Sequence, residues 1–117
     1  EEQLDTDDKL DREIRRKCRE AFQLKHKGTV DATDFLGQSC PLICSFPSAV
    51  QATAKHNEDF QTAIIETAKA GGDNAGRAAM IGSWIGARMG ADKLPKEWIK
   101  KLNRSSKIYS ILENWGL

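Results

Sequence analysis

The chain has 117 residues, of which 39% are hydrophobic, 30% charged and 7% aromatic. This length suits one domain, and the composition is too apolar for a disordered charged tail. The 18 Lys and Arg nearly balance the 17 Asp and Glu, so the net charge is +1. Nucleic-acid binders usually carry a marked basic excess, and no window here is apolar enough to span a bilayer. We therefore expect neither a nucleic acid nor a membrane as partner.

The N-terminus and the cysteines indicate the compartment. The chain begins at Glu1 without a Met or a basic and apolar leader. We therefore expect no signal peptide, and the missing Met suggests cleavage from a longer chain. Three cysteines are too few, and an odd number, for a disulfide scaffold, so we expect reduced, mostly buried thiols in a cytoplasmic protein. The alternative is a metal site of Cys40 and Cys44 with Cys18 or His56, but this spacing fits no strong zinc pattern.

The charges of residues 1–28 predict an amphipathic helix. Acids dominate residues 1–13 and bases dominate residues 15–27, which is the order that a helix dipole favours. Apolar side chains recur at helical spacing, so residues 7–26 are predicted to be helical. Gly28 is predicted to end this helix. The charges are interpreted as a solvated helix face.

Residues 29–57 predict two shorter helical pieces. Asp31 or Thr33 is expected to cap a short turn that ends at Gly37, followed by a loop over residues 38–41. Proline favours the first turn of a helix, so Pro47 predicts a helix over residues 47–55.

Two longer helices are predicted over residues 58–70 and 75–91, separated by Gly71-Gly72. In the second, small residues recur every four positions, although glycine costs about 1 kcal/mol relative to alanine inside a helix. We therefore expect another backbone to approach it closely, and its apolar composition predicts a buried central helix. The two rows of small residues are Ala78, Gly82, Gly86 and Gly90, and Ala75, Ala79, Ser83 and Ala87.

The C-terminal part predicts two further helices. Pro95 suits a helix start, with Trp98, Ile99 and Leu102 expected to face inward. Ser105 or Ser106 is expected to cap a last helix within residues 103–117. No segment shows sustained strand alternation. The predicted fold class is all-α, a compact multi-helix domain over residues 1–117.

An ordered series of motifs runs over residues 34–102. The turn Gly71-Gly72-Asp73-Asn74 is followed by Arg77, by the small-residue helix, and by Leu94-Pro95-Lys96-Glu97-Trp98. Three earlier motifs are Gly37-Gln38-Ser39, Ser45-Phe46-Pro47-Ser48-Ala49 and Glu58-Asp59-Phe60. Together they resemble the C-terminal portion of the ADP-ribosylglycohydrolase family. The turn with Asn74 and Arg77 is most similar to the branch that includes the J-type crystallins and selenoprotein J.

The resemblance implies a compact helical fold that binds two magnesium ions at an ADP-ribose cleft and hydrolyses a glycosidic bond at the ribose. In the family, two aspartates and a threonine of a Gly-Gly-Asp-Thr-Asp-Thr turn supply metal ligands. Only Asp73 matches that set, because Ala75 and Gly76 replace the second aspartate and the last threonine. The resemblance thus implies magnesium at Asp73 and an ADP-ribose-type ligand at Gly71, Gly72, Asn74 and Arg77. The remaining ligands would lie on an N-terminal segment or a partner chain.

Several residues have a structural interpretation beside the functional one. Asp73 suits a helix N-cap, and Arg77 is expected either to pair with Asp73 or Glu66 or to contact a ligand phosphate. Thr6-Asp7-Asp8 is similar to the family's N-terminal metal motif, but acids at a helix start explain it. His26 and His56 are interpreted as residues at helix ends.

Two functions of different classes follow from this sequence. The first is the C-terminal portion of an ADP-ribosylglycohydrolase-like protein, which forms one wall of an ADP-ribose or nucleotide-sugar cleft with a degraded metal-binding turn. The alternative is a non-catalytic, crystallin-like structural protein that retains only the fold. A third hypothesis is a small helical interaction domain whose resemblance is accidental. With either of the first two, this chain alone is expected to be inactive.

Overall fold

The computed structural model describes residues 9–116, which form seven α-helices and no strand. The predicted all-α class is therefore confirmed. Two 3-10 turns, at Leu24–His26 and Ala91–Lys93, follow α1 and α5. The helices are α1 (Lys9–Gln23), α2 (Thr29–Leu36), α3 (Leu42–Lys55), α4 (Phe60–Lys69), α5 (Asn74–Met89), α6 (Lys96–Lys101) and α7 (Ser105–Asn114).

Helix α3 lies at the centre and contacts α1, α2, α4 and α5. The core is formed mainly by alanines and two isoleucines, and these small side chains let the helices lie close together. Phe46 of α3 packs edge-to-face on Trp84 of α5, with 5.6 Å between ring centroids. The buried core residues are Ala49, Ala52, Ala63, Ile81 and Ile85.

The predicted first helix is confirmed in position, but its end differs from the prediction. Residues 7 and 8 lie outside the described range, and the helix passes at Gln23 into the 3-10 turn. Gly28 does not end it; Gly28 is the N-cap of α2, with φ of −58°. Neither Asp31 nor Thr33 caps α2, because both lie inside that helix. Gly37 ends α2 as predicted, with φ of +128°.

Helix α3 begins earlier than predicted, after Pro41 rather than at Pro47. Pro41 is the N-cap, one residue before the first helical position that proline favours, and Pro47 lies inside the helix. An interior proline removes one hydrogen bond of the helix. Pro47 is buried in the packed interior, and this tertiary packing outweighs the local preference. The predicted end of the helix is confirmed, since His56 is the C-cap.

Helix α5 is buried on one face only, so the prediction of a buried central helix is wrong for the described residues. The buried face contains Arg77, Ile81 and Ile85, whereas the row of Ala75, Ala79, Ser83 and Ala87 is exposed. In the other small-residue row, Gly82 and Gly86 meet side chains rather than a backbone, and Gly90 meets nothing within 4 Å. A Cβ added at Gly82 would lie 3.7 Å from atoms of Phe60 and Ile64, which is ordinary contact.

The C-terminal helices differ from the prediction in two respects. Arg104, in the left-handed conformation with φ of 62°, is the N-cap of α7, and neither Ser105 nor Ser106 caps it. Leu102 is 52% exposed and does not face the core, whereas Trp98 is 37% exposed and only partly covered. Trp98 still contacts Phe60 of α4, with ring centroids 6.3 Å apart.

The cysteines are free, but they are less buried than predicted. Cys40 is exposed, whereas Cys18 and Cys44 are half-buried. Burial raises the pKa of the Cys18 thiol and keeps it protonated.

Candidate functional site

The Gly71-Gly72 turn joins α4 to α5 and sets the direction in which α5 begins. Gly71 and Gly72 have φ values of +71° and +61°, in the left-handed region that favours glycine. At Gly72 there is a second requirement, since an added Cβ would lie 2.3 Å from the carbonyl oxygen of Gln38. The backbone of the loop after α2 therefore occupies the space beside this turn.

The carbonyl oxygen of Gln38 is the anchor of the turn. It accepts a hydrogen bond from the backbone amide of Asp73 at 2.9 Å and another from Nη1 of Arg77 at 2.7 Å. These bonds tie the α2–α3 loop to the first turn of α5. Gln38 is not among the site residues that the sequence predicts, although Gly37-Gln38-Ser39 is one of the motifs that resemble the family. The signal was the second glycine, which indicates close approach of another chain segment.

Arg77 is 1% exposed and uses its guanidinium inside the protein. Besides Gln38, its Nη2 donates to the carbonyl oxygen of Gly71. Its Nε has no hydrogen-bond partner among residues 9–116. Burial lowers the pKa of Arg77, and the negative charge of Asp73 acts in the opposite direction. The expected partners Asp73 and Glu66 are thus replaced by two backbone carbonyls as hydrogen-bond acceptors.

Asp73 is the N-cap of α5, as its structural interpretation predicts. Its Oδ1 accepts a hydrogen bond from the amide of Gly76 at 3.4 Å, and its side chain is half-buried. A Cβ at Gly76 would lie 2.7 Å from Asp73 Oδ2, so glycine leaves room for the carboxylate. The next residue, Asn74, donates from Nδ2 to the carbonyl oxygen of Ala68 at 3.1 Å and joins α5 back to α4.

The donor set at this turn does not fit a divalent metal by itself. Magnesium prefers several oxygen ligands in near-octahedral geometry. Asp73 offers one carboxylate, whereas Ala75 and Gly76 carry no side-chain oxygen. Among residues 9–116, no three His, Cys, Asp or Glu side chains are grouped so that they could hold a metal ion. Thr6-Asp7-Asp8, the other acidic motif, lies outside the described residues.

Comparison with known proteins identifies the family of the chain. A sequence model of ADP-ribosylglycohydrolase matches residues 1–116, almost the whole chain. The chain belongs to the ADP-ribosylglycohydrolase family. The match also extends beyond residues 34–102 and includes α1 and α7, which lie outside that range. No solved structure matches.

Two curated family relatives come from Tripedalia cystophora. Crystallin J1A is 31% identical over 83 residues, which are 71% of this chain and 26% of the crystallin. Crystallin J1B is 26% identical over 96 residues, which are 82% of this chain and 30% of that crystallin. The chain therefore matches less than a third of the length of these two relatives.

The structure brings the sequence-predicted site residues together around one turn. Gly71 and Gly72 form it, Asp73 and Asn74 begin α5, and Arg77 lies one turn further along. Ligand binding by these residues stays a prediction. None of the helices within residues 9–116 combines the length and hydropathy that crossing a bilayer requires.

Proposed function

We propose that this chain is a non-catalytic, structural member of the ADP-ribosylglycohydrolase family, of the crystallin kind. One observation carries the proposal: the only carboxylate of the Gly-Gly-Asp turn caps α5. Its neighbours Ala75 and Gly76 offer no oxygen with which a two-metal site could be completed. The turn thus serves the fold, by holding α4, α5 and the loop after α2 together.

Two further observations support a structural role. The cation of the turn, Arg77, is buried and bonded to the carbonyls of Gln38 and Gly71, so its donors serve the chain itself. Both curated relatives are named as crystallins. A protein selected for packing retains the glycines and the cap, since these are needed to form the turn, and has no need of metal ligands.

An activity measurement tests whether the chain is non-catalytic, an outcome that the second candidate below also predicts for this chain alone. The purified chain is incubated with magnesium and ADP-ribosylated protein, and released ADP-ribose is measured. We expect no release above the uncatalysed background, because paired metals normally orient the ribose hydroxyls and activate the water. Turnover that is lost in Asp73→Ala but kept in the exposed variant Lys96→Ala would overturn the proposal.

The second candidate function is one wall of an ADP-ribose or nucleotide-sugar cleft, with magnesium at Asp73. It is favoured by family membership and by the Gly71-Gly72-Asp73 turn, which resembles the metal-binding turn of that family. In this function Gly71, Gly72, Asn74 and Arg77 lie on the ligand side of the turn, and a further segment or chain supplies the other ligands. A cytoplasmic location belongs to both candidates.

Magnesium distinguishes the two candidates by its effect on stability. A metal that binds only the folded state raises the melting temperature by mass action. We expect no saturable rise for the wild-type chain at millimolar magnesium (on the order of 1–10 mM) relative to potassium at equal ionic strength. A rise that disappears in Asp73→Asn, which retains the capping ability, would establish the second candidate instead.

A further inference from the structure

A hollow of about 580 Å³ lies at the C-terminal end of α5. Its lining side chains come from three segments: Glu58 from the α3–α4 loop, Arg88 and Met89 from the last turn of α5, and Lys93 from the 3-10 turn that follows. Pockets for small molecules have volumes of about 300–1,000 Å³. A small ligand therefore fits this space.

The chain reverses after α5 and brings Lys93 back beside Arg88. Gly90 ends the helix with φ of +85°, and its carbonyl oxygen accepts a hydrogen bond from the amide of Lys93 at 3.2 Å. The side chain of Leu94 lies 3.9 Å from the position of a Cβ on Gly86, so the 3-10 turn packs back on the helix. Two cations five residues apart thus line the same hollow.

The two cations have hydrogen-bond donors that the described residues do not use. Within residues 9–116, the guanidinium of Arg88 makes one hydrogen bond, from Nη2 to Oε1 of Glu58 at 3.3 Å, although it has five N–H donors. Lys93 has no ion-pair partner in the same range, and both cations are exposed. Exposed ion pairs are weak, so an anion in the hollow can compete with Glu58 for Arg88.

Met89 gives the hollow an apolar surface. Its side chain is half-buried and packs against the core around Ile81 and Ile85, which fixes its position. The thioether side chain of methionine adapts its shape to apolar groups. We therefore expect a ligand that combines an anionic group with an apolar part.

The charge of the lining side chains indicates how much charge this ligand carries. Arg88 and Lys93 contribute two positive charges and Glu58 one negative charge, so the lining is +1. A carboxylate monoanion balances this charge. A phosphate monoester carries about −1.5 to −2 at pH 7 and would place additional negative charge beside Glu58. The electrostatics therefore favour a monocarboxylate.

We propose that the hollow at the end of α5 binds a small organic monocarboxylate. Arg88 and Lys93 hold the carboxylate group, and the apolar part of the ligand lies against Met89. The site lies about 22 Å along α5 from Asp73, which caps the other end of the helix. The proposal does not depend on either candidate function, so the results of the activity and magnesium experiments leave it unaffected.

Methyl labelling of methionine tests the proposal, because the chain has two methionines, Met80 and Met89. Both methyl groups are labelled with ¹³C, and hexanoate is added at constant ionic strength so that charge screening stays unchanged. We expect the Met89 signal, assigned with Met80→Leu, to shift saturably at millimolar hexanoate (on the order of 1–10 mM). The Met80 signal should not shift. Hexanol, which has the same carbon chain without the charge, should bind at least about threefold more weakly.

Three variants and a matched control test the roles of the charges. Arg88→Gln and Lys93→Gln should each weaken hexanoate binding about three- to fivefold, because each removes one exposed cation. Glu58→Gln should strengthen binding about twofold, because it removes the carboxylate that competes for Arg88. Arg15→Gln is the control, since Arg15 is an exposed, ion-paired arginine of α1, and it should bind normally. An unchanged Met80 signal in each variant shows that the core is intact.

Any of four results would overturn the proposal. These are a Met89 signal that does not move, hexanol that binds as tightly as hexanoate, inorganic phosphate that binds more tightly than hexanoate, and equal affinities in Arg88→Gln and Arg15→Gln. Weaker binding in Glu58→Gln would also contradict it, because Glu58 would then be a contact of the ligand rather than its competitor.

Discussion

Nη1 of Arg77 donates a hydrogen bond of 2.7 Å to the carbonyl oxygen of Gln38, which lies 39 residues earlier in the chain. The backbone amide of Asp73 donates to the same oxygen at 2.9 Å. One carbonyl thus receives both donors and fixes the α2–α3 loop against the start of α5. The Gly71-Gly72 turn is here part of a clamp that also joins the α2–α3 loop and the start of α5, and Arg77 makes its long-range bond.

Arg77→Met should destabilise the fold by about 2–4 kcal/mol. The substitution keeps most of the side-chain volume but removes the donors to Gln38 and Gly71, and hydrogen bonds to charged groups contribute about 1.5–3 kcal/mol each. Gln38 retains its bond from the amide of Asp73, which limits the loss. Arg77→Lys should be intermediate, because one ammonium replaces a two-pronged guanidinium. Urea denaturation gives the free energies of unfolding.

The matched control for Arg77 is Arg88, on the same helix. Arg88 donates to Glu58 at 3.3 Å, and the two side chains are 59% and 80% exposed. Exposed ion pairs contribute about 0–1 kcal/mol. Arg88→Met should therefore change stability little, and equal losses in the two variants would contradict the clamp.

Gly72→Ala should cost more than Gly71→Ala, although both residues have positive φ. Each alanine must adopt the left-handed conformation, which costs about 1–2 kcal/mol. At Gly71 nothing lies within 4 Å of the added Cβ, whereas at Gly72 the carbonyl oxygen of Gln38 would lie at 2.3 Å. Overpacking adds about 1–3 kcal/mol. Thermal melting of the two variants measures the difference, and equal midpoints would show that the loop moves aside freely.

Gly82→Ala should stabilise the chain by about 0.5–1 kcal/mol. Alanine is the better helix former, and the added methyl would contact Phe60 and Ile64 at an ordinary 3.7 Å. Gly76→Ala is the matched control on the same helix, because its Cβ would lie 2.7 Å from Asp73 Oδ2 and disturb the cap. Urea midpoints should rise for Gly82→Ala and not for Gly76→Ala. A lower midpoint for Gly82→Ala would show that another backbone does approach Gly82 closely.

Much of the fold could be predicted because its helices obey local rules. The stripe of α4 and its stop at Gly71-Gly72 gave that helix nearly correct bounds. The errors occurred where tertiary packing decides. Pro47 is tolerated inside α3 because the surrounding helices bury it, and the apolar composition of α5 did not show that one of its rows of small residues faces water.

The Gly71-Gly72 turn between α4 and α5 was predictable, but the hydrogen bonds that hold it were not. The sequence places its glycines, Asp73, Asn74 and Arg77 close together because they lie within seven residues of one another. The role of Gln38 could not be predicted, since it acts through a backbone carbonyl, and any residue has one. The acceptors of Arg77 were missed for the same reason: a charge in a sequence suggests a countercharge, whereas here carbonyl dipoles supply the acceptors.

His56 offers a separate test of packing, away from the turn. It is the C-cap of α3, and its Nε2 lies 2.9 Å from Oγ1 of Thr29, a residue that is 1% exposed. Burial lowers the pKa of His56, and Lys55 lowers it further. Asp59 and Glu66 act in the opposite direction but do not reverse the shift. The folded state therefore favours the neutral imidazole.

The stability of the chain should decrease as the pH is lowered through about 6.5, the ordinary value of a histidine pKa. Above this pH, His56 is neutral in both the folded and the unfolded state. Between this pH and the lower pKa of the folded state, the unfolded chain binds more protons, so lowering the pH favours unfolding. His56→Gln cannot titrate and should flatten the dependence in this range, whereas the exposed control His26→Gln should keep it. Urea unfolding between about pH 5 and 8 measures this slope. An unchanged slope in His56→Gln would show that another group is responsible.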